Sequence, residues 1–144
     1  MPPFSVNPRL VISIAVAAAG TVAILCPATA QPQTVEQVAQ TIVAQHNANA
    51  KALLDDMTVS TSAKAVGKNV RLKYVLRVKK GLPSAKLREF ADETRREIEP
   101  RACHVNSNNE AFKRGLYYTF TYVNTYDEKL AEFNIDKAIC ADRK

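Results

Sequence analysis

Glycine is scarce in this sequence. Past residue 30 it occurs only at Gly67, Gly81 and Gly115, too few and too far apart for a backbone loop that cradles phosphate. No G-x-S-x-G and no H-E-x-x-H is present, which excludes the nucleophile elbow and the zincin helix. There is no C-x-x-C, and the two histidines, His46 and His104, lack the spacing of a metal-ligand pair. Neither an internal repeat nor a low-complexity tract occurs. These absences point to a chain that is not an enzyme and that uses no metal and no cofactor.

A long apolar run is also missing, except at the start. Met1 to Arg9 carries one charge, Arg9, and Leu10 to Leu25 is uncharged and rich in Ala, Val and Ile. At about 16 residues that run is shorter than the roughly 20 a spanning helix needs. Ala28-Thr29-Ala30 supplies the small-x-small pattern of a cleavage site. Residues 1–30 therefore read as a signal peptide cut after Ala30. Residues 31–144 then form a single exported α+β domain, periplasmic or secreted, with no stable membrane span after cleavage. Lipidation of Cys26 would require a small residue before it, and Leu25 is bulky.

Removal of Cys26 leaves Cys103 and Cys140, an even pair that reads as a disulfide in an exported protein. Arg9 is the only charged residue before position 31, so the exported part keeps 19 basic and 14 acidic residues. That excess suits an anionic envelope component or an acidic protein partner. It serves equally as ordinary solubility charge.

The periodicity yields an element order. Thr34-x-x-Gln37 is a capping box that opens a helix over residues 34–54, with Val35, Val38, Ala39, Ile42 and Val43 as its stripe and His46 on the same face. A hairpin follows, with Met57, Val59 and Thr61 inward on its first strand and Gly67-Lys68-Asn69 as its turn. Its second strand sets Val70, Leu72, Tyr74, Leu76 and Val78 inward. A second helix enters through Pro83, points Leu87, Phe90, Ala91, Thr94 and Ile98 inward, and stops at Pro100. Ser107-x-x-Glu110 caps a short helix ended by Gly115. The aromatic strand "LYYTFTYVNTY" and the strand "LAEFNI" make a second hairpin, joined by a loop longer than two residues because Asp127 to Lys129 contains no glycine. Two hairpins with helices segregated to one side give an α+β fold: a four-stranded antiparallel sheet, helices packed on one face, and one disulfide.

The candidate sites are few. "CHVNSN" brings Cys, His, Asn and Ser together, but adjacent residues seldom face one another and the cysteine is expected to be bridged. The acidic pairs Asp55-Asp56 and Asp92-Glu93 read as solvated charge. The constellation that could bind is the far side of the second strand, where Arg71, Lys73, Arg77 and Lys79 would make a cationic ridge about 25–30 Å long. With Tyr117 or Tyr126 beside it, that ridge has the composition of a nucleic-acid surface. Export argues against nucleic acid and for an acidic protein or an envelope polymer.

From Leu54 to Cys140 the order of hairpin, helix, Cys103, capped helix, Gly115, "YYTFTY" strand, strand and Cys140 resembles the small exported single-disulfide α+β proteins that serve secretion systems as pilotins. Pilotins are usually lipoproteins, and Leu25 before Cys26 departs from that pattern. The resemblance implies a non-enzymatic binding or accessory protein of a secretion or envelope system. Such a module holds a partner segment in a groove between helices and sheet, or along a strand. A secreted inhibitor or host-directed factor acting through a basic surface, and a small hydrolase, are the alternative classes.

Overall fold

Thr34 closes both halves of its capping box. Its Oγ1 accepts from the Gln37 N–H at 3.2 Å and its own N–H donates to Gln37 Oε1 at 2.8 Å. From there the computed structural model, which describes residues 31–142, runs α1 (Val35–Ala48), β1 (Thr58–Val66), β2 (Asn69–Leu76), α2 (Ser84–Asn106), α3 (Glu110–Lys113), β3 (Tyr117–Asn124), β4 (Lys129–Ile135) and α4 (Lys137–Ala141). The expected signal segment 1–30, its cleavage after Ala30 and Cys26 lie outside the described residues. α1 ends at Ala48, not at residue 54, and a 3-10 turn over Ala50–Leu53 carries the chain onward.

The strands lie in the order β1-β2-β3-β4. Both hairpins are antiparallel, but β2 pairs with β3 in parallel, Asn69 opposite Tyr117 through Leu76 opposite Asn124. The expected purely antiparallel sheet is thus corrected to a mixed one. Alternation of apolar residues has the same period in either strand direction, so the sequence pattern could not decide it.

α2 carries the crossover, and it does so through Pro100. The expected stop at that proline is overtaken by six further helical residues. An internal proline costs about 3 kcal/mol, and several contacts beyond it hold the last turns in place. Cys103 bonds to Cys140 in α4, with Cα atoms 5.3 Å apart. The Asn106 side chain donates to the Ala102 carbonyl and accepts from the Tyr118 hydroxyl.

Two other local readings shift. The N-cap of α3 is Asn109, whose Oδ1 accepts from Ala111 and Phe112 N–H, while Ser107 caps the end of α2. At the start of β1, Asp55 Oδ1 accepts from the Met57 and Thr58 N–H groups, and the register slips between Thr58 and Ser60. Thr58 and Thr61 therefore turn inward, and Met57 and Val59, expected inside, are exposed.

One face of the sheet is the core. Val70, Leu72, Leu76, Phe120, Tyr122, Ala131, Phe133 and Ile135 are buried there under Val35 and Ala39 of α1 and half-buried Leu87, Phe90 and Ile98 of α2. The loop after β3 has four residues, and Asn124, only 1% exposed, organises it. Its Oδ1 accepts from the Tyr126 and Glu128 N–H groups, and its Nδ2 donates to Glu128 Oε2. Glu128 Oε2 also accepts from the Gly81 N–H, which ties the β3–β4 loop to the start of the crossover.

Cys103 and Cys140 are 37 positions apart, and closing a loop of that length stabilises by about 4 kcal/mol in the chain-entropy account. Replacing both cysteines by serine is expected to lower the unfolding free energy by roughly that amount, read as a lower urea midpoint. An unchanged midpoint would mean that α2 beyond Pro100 holds without the bridge.

Candidate binding groove

α1 lies over β1 and β2, and α2 over β4. Both helices pack on the sheet more than on each other, and between them the inner residues of β2 and β3 are buried except for Tyr74 and Tyr118, which are half-buried. At one end α3 packs against α1 and is tied to its start by the Arg114 guanidinium donating to the Gln33 carbonyl.

The inner face there is aromatic. Tyr74 of β2 stacks on Tyr122 of β3, with centroids 5.1 Å apart and planes 14° from parallel. This follows from the parallel register, which sets the two residues directly opposite. Phe90 meets Tyr122 edge-on from the α2 side, and His46 meets Tyr74 edge-on from the α1 side. Tyr122 is 7% exposed. Tyr74 stays only half-buried although it sits mid-strand on the helix-covered face. Tyr74 is therefore the point between the two helices at which the inner face is incompletely covered.

The wall beside Tyr74 is polar. His46 Nε2 and Thr61 Oγ1 are 2.8 Å apart, and Thr61 also hydrogen-bonds the Tyr74 side chain. Burial holds the His46 imidazole below its ordinary range, because the charged form is the harder to desolvate. Burial pushes both phenols up, and at Tyr122 the neighbouring Tyr74 and Glu97 add to the effect. A neutral imidazole, a threonine and two neutral phenols can orient a partner by hydrogen bonds, with no charged nucleophile among them.

The other candidate residues are dispersed. Arg71 and Lys73 are exposed on the open face of β2. β2 ends at Leu76, where the Val78 N–H donates back to the Leu76 carbonyl. At that i to i+2 turn, Arg77 and Lys79 are exposed on either side of Val78, which packs against the core. Lys73 pairs with Asp127 at 2.7 Å. Around it the open face carries a hydrogen-bonded row: Asn69 Nδ2 donates to Thr119 Oγ1, and that hydroxyl donates to Asn134 Oδ1. Thr121 donates to Glu132, which also pairs with Lys129. Among the described residues no group of three His, Cys, Asp or Glu side chains is placed to hold a metal ion.

Sequence reasoning missed the groove's central pair. Tyr74 was assigned inward and Tyr122 to the face of its strand shared with Tyr118 and Phe120, but their stacking depends on the parallel register. His46 was read as a partly buried helix residue, and half-buried is how it sits.

Since the folded-state pKa of His46 lies below the unfolded value of 6.5, its contribution to stability is complete above about pH 6.5. It is lost as the pH falls through the lowered folded value. The urea midpoint is expected to drop between about pH 7.5 and pH 5, and to drop less in His46→Gln. Equal pH dependence in the two proteins would remove His46 as the cause. The carboxylates held low by hydrogen bonds, Asp55, Glu128 and Glu132 among them, act in a more acid range.

No protein-family model matches the chain, and no curated protein matches its sequence. Two solved structures share its architecture. One is a protein of Pseudomonas aeruginosa described as secreted, with TM-score 0.59 and 10% identity, over 74% of this chain and 92% of that one. The other is the type II secretion system pilotin AspS of Vibrio cholerae, with TM-score 0.53 and 16% identity over the same shares. At such identities the likeness is one of fold: the chain has a pilotin-like arrangement of mixed sheet, covering helices and single disulfide.

Proposed function

We propose that this protein is a non-enzymatic, exported accessory protein that seats an apolar helical segment of a protein partner over Tyr74, between α1 and α2, in the service of a secretion or envelope system. The half-buried Tyr74 at the centre of the helix-covered face carries this reading. A mid-strand aromatic side chain only partly covered between two helices is a ready contact for a third. α1 has 14 residues and is about 21 Å long, which sets the length a helix lying alongside it could use. That length suits roughly four turns of a partner helix reading i, i+3, i+4 and i+7 anchors.

The pilotin and the secreted protein among its structural neighbours support an accessory role and an exported setting. In keeping with a periplasmic or secreted location, no helix among the described residues is long and apolar enough to cross a membrane. The open face with Arg71 and Lys73, and the nearby Arg77 and Lys79, is the second candidate surface, for an anionic partner. Its internal ion pairs and hydrogen bonds already use part of that charge.

Thr94 lies one turn beyond Phe90 on the inward stripe of α2 and is half-buried. Thr94→Arg would place a long charged side chain there without removing core packing. With the full-length protein expressed in its own host, the partner captured by the wild type is expected to stay bound at about 1 M salt, where the screening length falls to roughly 3 Å. Thr94→Arg is expected to lose that partner. Capture that fades with salt, survives Thr94→Arg and fails in Arg71→Glu with Lys73→Glu would move the site to the open face.

A further inference from the structure

β1 is one edge of the sheet, and its free side has an occupant from within the chain. The two-residue turn Gly67-Lys68 makes Val66 and Asn69 a hydrogen-bonded pair. The alternation along an antiparallel ladder then makes Lys64 with Arg71 and Ser62 with Lys73 the bonded pairs. Thr61, Ala63 and Ala65 must therefore turn their N–H and C=O groups away from β2, toward the free edge. At the middle one stands Asn47, near the end of α1. Its Oδ1 accepts from the Ala63 N–H at 2.8 Å and its Nδ2 donates to the Ala63 carbonyl at 3.0 Å.

One side-chain amide thus makes the two bonds that a residue of a neighbouring antiparallel strand would make. Asn47 serves no cap, since Asn49 ends α1.

The strand it covers has little other protection. Its start has the bulge between Thr58 and Ser60 and the 3-10 turn packed near it. Along its length "TVSTSAKAV" contains no proline or glycine and a single charge, Lys64, whereas edge strands are commonly blunted by charges and prolines. The opposite edge, β4, carries Lys129 and Glu132. Near the start of β1, Leu53, Leu54, Met57 and Val59 are 40–47% exposed. Its sequence also fits itself. An antiparallel pairing of two β1 strands centred on Ala63 sets Lys64 opposite Ser62, so the charges do not oppose one another, and the contact is two-fold symmetric.

We propose that Asn47 acts as a surrogate strand that closes the β1 edge against a second copy of this chain, and that the edge it covers is a self-pairing surface. The groove described above takes no part in this.

Amide exchange in the wild-type protein is the first test. The Ala63 N–H is expected to exchange roughly tenfold more slowly than those of Thr61 and Ala65, since among the described residues only it has a partner on that side. Exchange as fast as at those two positions would overturn the proposal. Sedimentation of two variants is the second. Asn47→Ala is expected to form a species larger than the wild type that grows with concentration. Asn47→Asp is expected to stay at wild-type size, because it keeps an acceptor for the Ala63 N–H and adds a charge that discourages edge pairing. A folded Asn47→Ala that stays at wild-type size would overturn the proposal, as would equal association of the two variants. If Asn47→Ala does not fold, the exchange comparison in the wild type still decides.

Discussion

Because β2 and β3 run parallel, the chain leaving Leu76 must return along the whole sheet before Tyr117 can pair with Asn69, and α2 is that return. A helix of 23 residues spans about 34 Å, while the eight residues of β3 span about 26 Å. The helix is therefore longer than the strand by about one and a half turns. Pro100 falls before its last turns, where the helix is weakest. The disulfide to α4, the Asn106 hydrogen bonds and the Asn109-capped α3 all gather at the same end, where they can hold it.

The same pairing makes the groove. With α2 drawn toward β4 and α1 over β1 and β2, most of the inner face is buried, and Tyr74 at its centre stays half-buried. The parallel register places Tyr74 and Tyr122 side by side at that centre, and the Thr61–His46 contact finishes the wall. A buried phenol or imidazole needs a hydrogen-bond partner, and the nearest partners here come from different elements. The polar spot is therefore a product of assembly and not of any short motif.

The two faces and two edges of the sheet are treated differently. The inner face is apolar and filled. The outer face satisfies itself through the Asn69–Thr119–Asn134 row and the Lys73–Asp127 and Lys129–Glu132 pairs, which leaves a polar surface with modest net charge. Surface ion pairs of this kind contribute little to stability. Their consequence is to lower the charge offered to a partner, so the groove is the more distinctive of the two surfaces.

Whatever depends on a few neighbouring residues was legible in the sequence. The Thr34 box, the glycine at 115, the alternation of "YYTFTY", the inward alternation of "LAEFNI", a loop longer than two residues and the cysteine pair each rest on local geometry or on simple counting. Strand direction was not legible, because a period of two is blind to it. Nor was the helix through Pro100, because the contacts that offset the proline come from residues up to 40 positions away, such as Cys140. The bulge that exposes Met57 and Val59, the choice of Asn109 over Ser107 as cap, and the Asn47–Ala63 contact were likewise set by packing. Each has a locally acceptable alternative, and only the burial available in the assembled sheet separates them. The sequence by itself determined the order of the two hairpins and of the helices before each, the cysteine pair and the alternation within the strands. The tertiary structure decided how the strands run, and with that where the tyrosines meet and where the groove lies, because these depend on pairings between residues too far apart for any local pattern to register.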